Sequence, residues 1–258
     1  MKIFCASTGR CRTRYAAWVF RTYTDTAAFH EPSPTLCGTD ADALNASLVP
    51  GLCIEALPEE TRKRLIEKFE FVGKNTNEGT RDYFEGSNMW IKAWAPFALE
   101  RWPGEVGILR IRRDLAGYLL SFTRRGKRGK KGRFHSVFLL DPTGPGNKIK
   151  GYPGMSFYET VAWNYFEVEA RHQKARERAA GFYEMDFKDI DSPREWARAF
   201  KTFGIPHRLP AIFQKTKERH QSIFDDKAKL LALGHLKERW AEPRTPVDPE
   251  TMAKILRR

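Results

Sequence analysis

Short apolar segments alternate with helical segments along most of this chain, and this alternation constrains the fold more than any other feature of the sequence. Strands are predicted at residues 2–6, 81–85, 106–111, 136–140 and 182–187. Helices are predicted from apolar spacing and capping residues at residues 15–20, 58–69, 88–102, 114–124, 156–180 and 192–204. Strands that alternate with helices favour a parallel sheet covered on both faces. The sequence therefore predicts an α/β fold with a central parallel sheet flanked by helices.

The chain is long enough for one large hydrophobic core and contains no segment that resembles a linker. It has 258 residues, of which 41% are hydrophobic and 13% aromatic. At this length one core is more usual than two small ones. A single domain is predicted over residues 1–258, with residues 207–258 as a charged helical tail that packs on it or extends from it.

The chain is strongly basic, which favours an anionic partner. Its 45 Lys and Arg residues against 32 Asp and Glu residues give a net charge of +13. Seven of these cations lie within residues 124–133. Such a run is suited to steering an acidic acceptor, and it equally suits electrostatic contact with nucleic acid.

Cysteine spacing and hydropathy argue against a zinc site and a membrane span. No two cysteines have the CxxC spacing of a structural zinc or redox site, so buried free thiols are expected at Cys5, Cys11, Cys37 and Cys53. No apolar run approaches the ~18 residues of a membrane span, and the first apolar run is too short for a secretory signal. We expect a soluble, cytoplasmic protein.

The loop after the first predicted strand is rich in groups that bind anions. The sequence there runs Ser7, Thr8, Gly9, Arg10, Cys11, Arg12, Thr13, Arg14, Tyr15. Backbone amides at the start of a helix, with guanidinium and hydroxyl groups beside them, form a cradle for phosphate. A basic loop with ordinary helix capping is an alternative interpretation. The loop is not a Walker motif, because GxxxxGK followed by Ser or Thr is absent.

A second basic turn follows the predicted strand at residues 106–111. Arg113 lies in this turn, Asp114 is a helix-capping residue, and Ser121 comes eight residues after Arg113. Ser121 therefore lies two helical turns from the helix start. Arg113 and Ser121 are expected to converge on one anion if their side chains turn the same way.

The two loops, in this order and spacing, resemble those of the bacterial-type sulfotransferase superfamily that uses 3′-phosphoadenosine 5′-phosphosulfate (PAPS). The resemblance covers about residues 1–206 and implies a P-loop-like sulfotransferase fold. It implies that Arg113 and Ser121 hold the 3′-phosphate of the donor. It also implies that the first loop binds the 5′-phosphosulfate through Arg10, Cys11, Arg12, Thr13 and Arg14, with Gly9 and Tyr15 as further residues of the donor site.

Three further segments are similar to the same family. Trp163 and Asn164 lie in a predicted helix that resembles a family helix. Tyr183 and Glu184 resemble the Tyr-Glu-Asp strand of bacterial members, which implies that Tyr183 belongs to the donor site. Residues 29–32, Phe-His-Glu-Pro, resemble a His-Glu-Pro turn that is common in them.

Two residues of the first loop depart from the family pattern. Arg12 stands where the family usually has a small residue, and its Cβ restricts the loop and the approach of backbone to phosphate. Arg14 replaces a hydroxyl and can offer a bidentate contact instead. Tyr15 either stacks on the adenine or is a core residue, and both interpretations stay open.

The resemblance implies sulfuryl transfer from PAPS to a hydroxyl or amine, without a metal and with adenosine 3′,5′-bisphosphate as product. Arg10 is then the residue that stabilises the leaving phosphate. The general base is open between Glu31, Glu85 and His30, in that order of preference. The acceptor is a small molecule or a glycan, and the basic run at residues 124–133 suits an anionic one.

Two other functions remain as alternatives. A P-loop-type nucleotide kinase is disfavoured by the missing Walker lysine and by the Arg113 and Ser121 element. A non-catalytic nucleic-acid-binding protein would explain the net charge but not the two paired loops. Nucleic acid is therefore the less favoured partner.

Overall fold

The computed structural model describes residues 1–49, 51, 53–76, 81–126 and 138–213. Within this part of the chain five strands form one parallel sheet, in the order β2-β3-β1-β4-β5. The strands are β1 (Lys2–Ala6), β2 (Ala27–Phe29), β3 (Tyr83–Glu85), β4 (Val106–Arg112) and β5 (Gly181–Asp186). The predicted α/β fold with a central parallel sheet is therefore confirmed.

Helices connect the strands and cover the sheet. They are α1 (Thr13–Tyr23), α2 (Thr39–Ala46), α3 (Glu59–Asn75), α4 (Ala95–Arg101), α5 (Leu115–Gly126), α6 (Phe157–Arg176) and α7 (Pro193–Thr202). A π-helix, Trp90–Trp94, runs directly into α4, and a 3-10 turn, Phe187–Asp189, follows β5. Helix α6 begins with a capping box formed by Ser156 and Glu159.

Alternate residues of β1 enter two separate hydrophobic cores. Phe4 and Ala6 pack with the π-helix and α4 on one face of the sheet. Ile3 and Cys5 pack with α1 and α7 on the other face. All five residues of β1 are buried, as expected for a central strand with helices on both sides.

The predicted helix at residues 88–102 is divided into the π-helix and α4, and Pro96 supplies a physical reason. Proline has no N–H to donate to the carbonyl four residues earlier, which is that of Lys92. The Lys92 carbonyl instead accepts a hydrogen bond of 2.5 Å from the Arg171 guanidinium of α6.

Other differences concern short or irregular segments. Residues 138–140 do not form the predicted strand, since Leu139 and Leu140 are buried loop residues and the Leu140 amide donates to the Asn164 side chain. The long helix ends at Arg176 rather than at residue 180. The sequence reasoning missed the three-residue β2 and the short α2. Residues 207–213, predicted to begin a helical tail, are irregular. Residues 127–137, with most of the basic run, and 214–258 lie outside the described residues.

The connections of β1 and β4 leave these neighbouring strands in opposite directions. The chain passes from β1 through α1 to β2 at one edge of the sheet, and from β4 through α5 and α6 to β5 at the other edge. In open α/β sheets such a switch point opens a crevice at the carboxyl ends of the strands, where ligands bind. The loop at residues 7–12 and the turn at Arg113 are the segments that follow these two strands.

Candidate functional site

The loop at residues 7–12, called the donor loop below, turns sharply between β1 and α1. Gly9, Arg10 and Arg12 have φ angles of 99°, 57° and 56°. Glycine adopts this region freely, whereas for arginine it costs ~1–2 kcal/mol per residue. A Cβ on Gly9 would lie 3.3 Å from the Asn88 amide nitrogen, so the donor loop lies against the segment that follows β3. The Arg12 side chain does not cap α1.

The structure brings Arg10, Arg113 and Ser121 together at the switch point. Nε of Arg10 donates to the Ser121 hydroxyl at 2.9 Å, and the Arg113 guanidinium donates to the Arg10 carbonyl at 2.6 Å. Arg113 is 6% exposed and its guanidinium lies 4.4 Å from the centre of the Phe187 ring. Arg10 is exposed. The Arg113 guanidinium against the Arg10 backbone, and the Arg10 side chain on the Ser121 hydroxyl, gather positively charged and hydroxyl groups that are suited to bind an anion.

Arg12 directs its side chain away from the donor loop. Its guanidinium donates to both carboxylate oxygens of Asp191 at 3.0 Å and lies 4.2 Å from the centre of the Tyr15 ring. This contact accommodates the residue that departs from the family pattern. Tyr15 is 4% exposed and also packs against Trp18 and Phe213. It is a core residue in this structure, with little surface left for an adenine ring.

Cys11 and Thr13 support the donor loop from inside. Cys11 is buried and its thiol donates to the Gly9 carbonyl at 3.1 Å. Burial raises the pKa of this thiol, so it remains protonated. Thr13 is 7% exposed and its hydroxyl lies 3.2 Å from Nε2 of His30. Arg14, the next residue of α1, is exposed.

The four cysteines are free thiols of differing exposure. Cys5 and Cys11 are buried as expected, whereas Cys37 is half-buried and Cys53 is exposed. The expectation of burial is therefore wrong for Cys53, which lies in the connection between α2 and α3 rather than in an element that packs on the sheet.

Residues 30–32, called the 30–32 turn below, lie beside the donor loop. Burial and the charge of Arg14 lower the pKa of His30 to about 4, so its imidazole is neutral at pH 7. Nδ1 of His30 lies 4.0 Å from a carboxylate oxygen of Glu31, whose side chain is 25% exposed. Of the three candidate bases, Glu31 has the most accessible side chain.

Glu85 is buried at the end of β3 and has strong partners. Its carboxylate lies 3.3 Å and 3.4 Å from Nζ of Lys68 and accepts a hydrogen bond of 2.7 Å from the Tyr83 hydroxyl. Burial raises the pKa of Glu85 and lowers that of Lys68, while their mutual attraction opposes both shifts. With 1% exposure, Glu85 offers no surface on which an acceptor can approach.

Lys92, in the π-helix, was missed by sequence reasoning. It is fully buried, and its ammonium donates to the Phe138 carbonyl at 2.7 Å. Burial lowers the pKa of Lys92 to about 7, and the charge of Glu31 opposes this shift. The sequence feature that could have identified Lys92 is its place within an apolar, aromatic helical segment. π-Helical segments occur frequently at functional sites.

Tyr183 and Asn164, two further residues that carry the resemblance to sulfotransferases, contact residues outside the cluster of Arg10, Arg113 and Ser121. The Tyr183 hydroxyl donates to the Glu195 carboxylate of α7 at 2.7 Å, and Tyr183 pairs with Leu109 within the sheet rather than at its carboxyl end. Asn164 is buried and donates to the Tyr118 hydroxyl at 2.9 Å. Tyr183 therefore packs against α7, and neither of these two contacts joins it to the cluster of Arg10, Arg113 and Ser121.

Within the described ranges, the structure contains no cluster of three or more His, Cys, Asp or Glu side chains arranged to hold a metal ion. None of the described helices combines the length and the apolar character needed to cross a membrane. No known family model matches this chain. Comparisons with curated proteins and with solved structures also find no match.

Proposed function

We propose that this protein is a sulfotransferase that transfers a sulfuryl group from PAPS to a hydroxyl or amine acceptor. The observation that supports it most is the contact of Arg10 with Ser121 and of Arg113 with Arg10, across the switch point of the sheet. Arg10 and Arg113 belong to the two loops, and Ser121 to the helix after the second loop, that resemble the donor site of the sulfotransferase superfamily. Guanidinium and hydroxyl groups suit a donor that carries phosphate and sulfate groups.

In this proposal, binding of the donor replaces a hydrogen bond that the protein makes within itself in this structure. Arg10 releases the Ser121 hydroxyl and binds the 5′-phosphosulfate together with Thr13 and Arg14, whereas Arg113 and Ser121 bind the 3′-phosphate. The acceptor atom forms a bond to sulfur as the bond from sulfur to the bridging phosphate oxygen breaks. Negative charge then develops on that oxygen, where Arg10 stabilises it.

The acceptor must lose its proton as the sulfuryl group arrives, and Glu31 is the proposed base. Its side chain is 25% exposed, compared with 1% for the whole of Glu85. Nε2 of His30 already faces the Thr13 hydroxyl. A carboxylate in this turn accepts the proton of the acceptor directly.

A panel of nucleotides in a thermal unfolding assay tests the donor site. Adenosine 3′,5′-bisphosphate is expected to stabilise the protein far more than ATP, GTP or AMP, since a ligand at a hundredfold excess over its Kd adds ~2.7 kcal/mol. Arg113→Ala is expected to reduce this stabilisation by half or more, and Arg194→Ala, which changes an exposed arginine of α7, to keep it. Equal shifts for all four nucleotides would overturn the proposal.

The competing functions give different results in the same assay. A nucleotide kinase would be stabilised most by ATP or GTP. A nucleic-acid-binding protein would bind an oligonucleotide in a strongly salt-dependent way and transfer no sulfate from labelled PAPS to any hydroxyl or amine.

A further inference from the structure

The 30–32 turn has a backbone conformation that outside contacts must stabilise. Glu31 has a φ angle of 47°, in the left-handed region. This region is unfavourable for a residue with a Cβ, and it persists where the surroundings determine it. The turn follows β2 directly, so its conformation decides where the Glu31 carboxylate is presented.

One flank of the turn is joined to the start of α1. Nε2 of His30 lies 3.2 Å from the Thr13 hydroxyl, and Thr13 follows the donor loop directly. This contact connects the segment that carries the proposed base to the segment proposed to bind the 5′-phosphosulfate.

The other flank is held by a lysine from α3. Lys68 is fully buried, and its ammonium donates to the Pro32 carbonyl at 2.8 Å. The same ammonium lies 3.3 Å from a Glu85 carboxylate oxygen, which orients it, and the Tyr83 hydroxyl in turn donates to Glu85 at 2.7 Å. The three side chains form a chain of contacts from β3 to the turn, and each is at most 1% exposed.

The strand register places this chain of contacts beside the turn. Glu85 pairs with Phe29, the residue before the turn, and the Gly86 amide donates to the Phe29 carbonyl at 2.8 Å. A buried ion pair is not required for stability, because apolar residues of similar shape often stabilise a core equally well. The contact that an apolar pair cannot supply is the hydrogen bond to the Pro32 carbonyl.

We propose that Lys68, oriented by Glu85 and Tyr83, is a positioning residue that fixes the 30–32 turn and thereby directs the Glu31 carboxylate toward the donor loop. This inference rests on the proposed function for the role of Glu31. It gives Glu85 an indirect role, through Lys68, instead of the role of a base.

Four variants test the proposal: Lys68→Met, Glu85→Gln, the double variant Lys68→Met/Glu85→Gln, and Lys63→Met as a matched control on the exposed face of α3. The double variant leaves no unpaired charge in the core, so it keeps the test open if Lys68→Met alone does not fold. Folding of each variant is checked by thermal unfolding. Hydrogen exchange of a peptide covering residues 27–36 measures the turn, and release of sulfate from PAPS to water measures turnover.

In Lys68→Met and in the double variant, backbone amides of the 30–32 turn are expected to exchange their hydrogens at least ~10-fold faster than in the wild type. Both variants are also expected to lower kcat ~10-fold or more. The KM for PAPS should change less than ~3-fold in both. Glu85→Gln keeps the Lys68 contact with Pro32 and should lose less kcat than Lys68→Met, while Lys63→Met should match the wild type. Unchanged exchange in the folded double variant would overturn the proposal, and so would a loss of kcat greater for Glu85→Gln than for Lys68→Met.

The exchange measurement separates this proposal from the proposed function. A wild type that binds no adenosine 3′,5′-bisphosphate overturns the sulfotransferase assignment, and with it the role of Glu31. The attachment of the 30–32 turn to Lys68 is then still decided by exchange alone. Faster exchange together with unchanged sulfate release would show that the turn is held by Lys68 but does not position the base.

Discussion

At the scale of single residues, the chemistry proposed for this protein depends on one partly exposed carboxylate. Glu31→Gln keeps the size of the side chain and removes its ability to accept the acceptor's proton. We expect kcat to fall ~100-fold or more, within the ~10² to 10⁴ typical of general bases, with binding of adenosine 3′,5′-bisphosphate unchanged. The measurement is sulfate transfer from labelled PAPS, with nucleotide binding followed separately by calorimetry.

The control for this residue is Glu67→Gln, on the exposed face of α3, which should behave as the wild type. His30 provides the competing result. Because the pKa of His30 is lowered to about 4, a His30 base would lose activity only as the pH falls toward 4. Near-normal turnover by Glu31→Gln, with His30→Ala folded but inactive, would contradict the assignment of Glu31.

At the scale of elements, the proposed donor site depends on the contact between the donor loop and α5. Arg113→Ala removes the hydrogen bond to the Arg10 carbonyl and, in the proposed complex, a charge-assisted contact to the 3′-phosphate. Ser121→Ala removes a hydrogen bond from the Arg10 side chain and, in the proposed complex, a neutral contact to the same phosphate. Loss of binding free energy for adenosine 3′,5′-bisphosphate should be ~1.5–3 kcal/mol for Arg113→Ala and ~0.5–1.5 kcal/mol for Ser121→Ala.

Calorimetric titration of both variants with adenosine 3′,5′-bisphosphate measures this difference, with adenosine 5′-phosphate as a reference that lacks the 3′-phosphate. The reference nucleotide should lose less affinity than the bisphosphate in each variant. Wild-type affinity for the bisphosphate in both variants would show that the 3′-phosphate binds elsewhere.

At the scale of the whole molecule, the buried charge of Lys92 makes the free energy of unfolding depend on pH. Below pH ~7 both the folded and the unfolded chain hold this proton, and the cost of burying the charge is constant. The pKa of Lys92 is about 7 in the folded protein and 10.5 ordinarily. Between these two pH values the unfolded chain retains a proton that the folded chain has lost. The contribution of Lys92 to stability therefore rises with pH across this window.

Lys92→Met removes this titration and is expected to flatten the pH dependence. At 1.36 kcal/mol per pKa unit, the difference in unfolding free energy between wild type and variant should change by up to about 4 kcal/mol between pH 7 and 10. Urea unfolding at each pH measures it, with Lys63→Met as the control. A constant difference across this range would contradict the lowered pKa of Lys92.

Local patterns in the sequence were sufficient to predict the architecture, because strand and helix periods and capping residues act over a few neighbouring residues. They identified β1, β3, β4 and β5 and most of the longer helices. They missed β2, a strand of Ala-Ala-Phe without a β-branched residue. They also missed the change from π-helix to α-helix that comes just before Pro96. Apolar residues 138–140 suggested a strand, although their burial comes from packing in a loop.

For the candidate site too, local sequence patterns could predict some features, whereas others depend on contacts between distant segments. Arg10, Arg113 and Ser121 could be proposed from the order and spacing of two basic loops, because each loop follows its own strand directly. The partners of Arg12, Glu85 and Lys92 could not be proposed, since they are Asp191, Lys68 and Phe138, all distant along the chain or in other elements. The sequence by itself determined which charged residues the chain carries and which loops present them. Only the tertiary structure decided which of those charges are buried and paired, because burial and pairing depend on contacts between segments that no local pattern records.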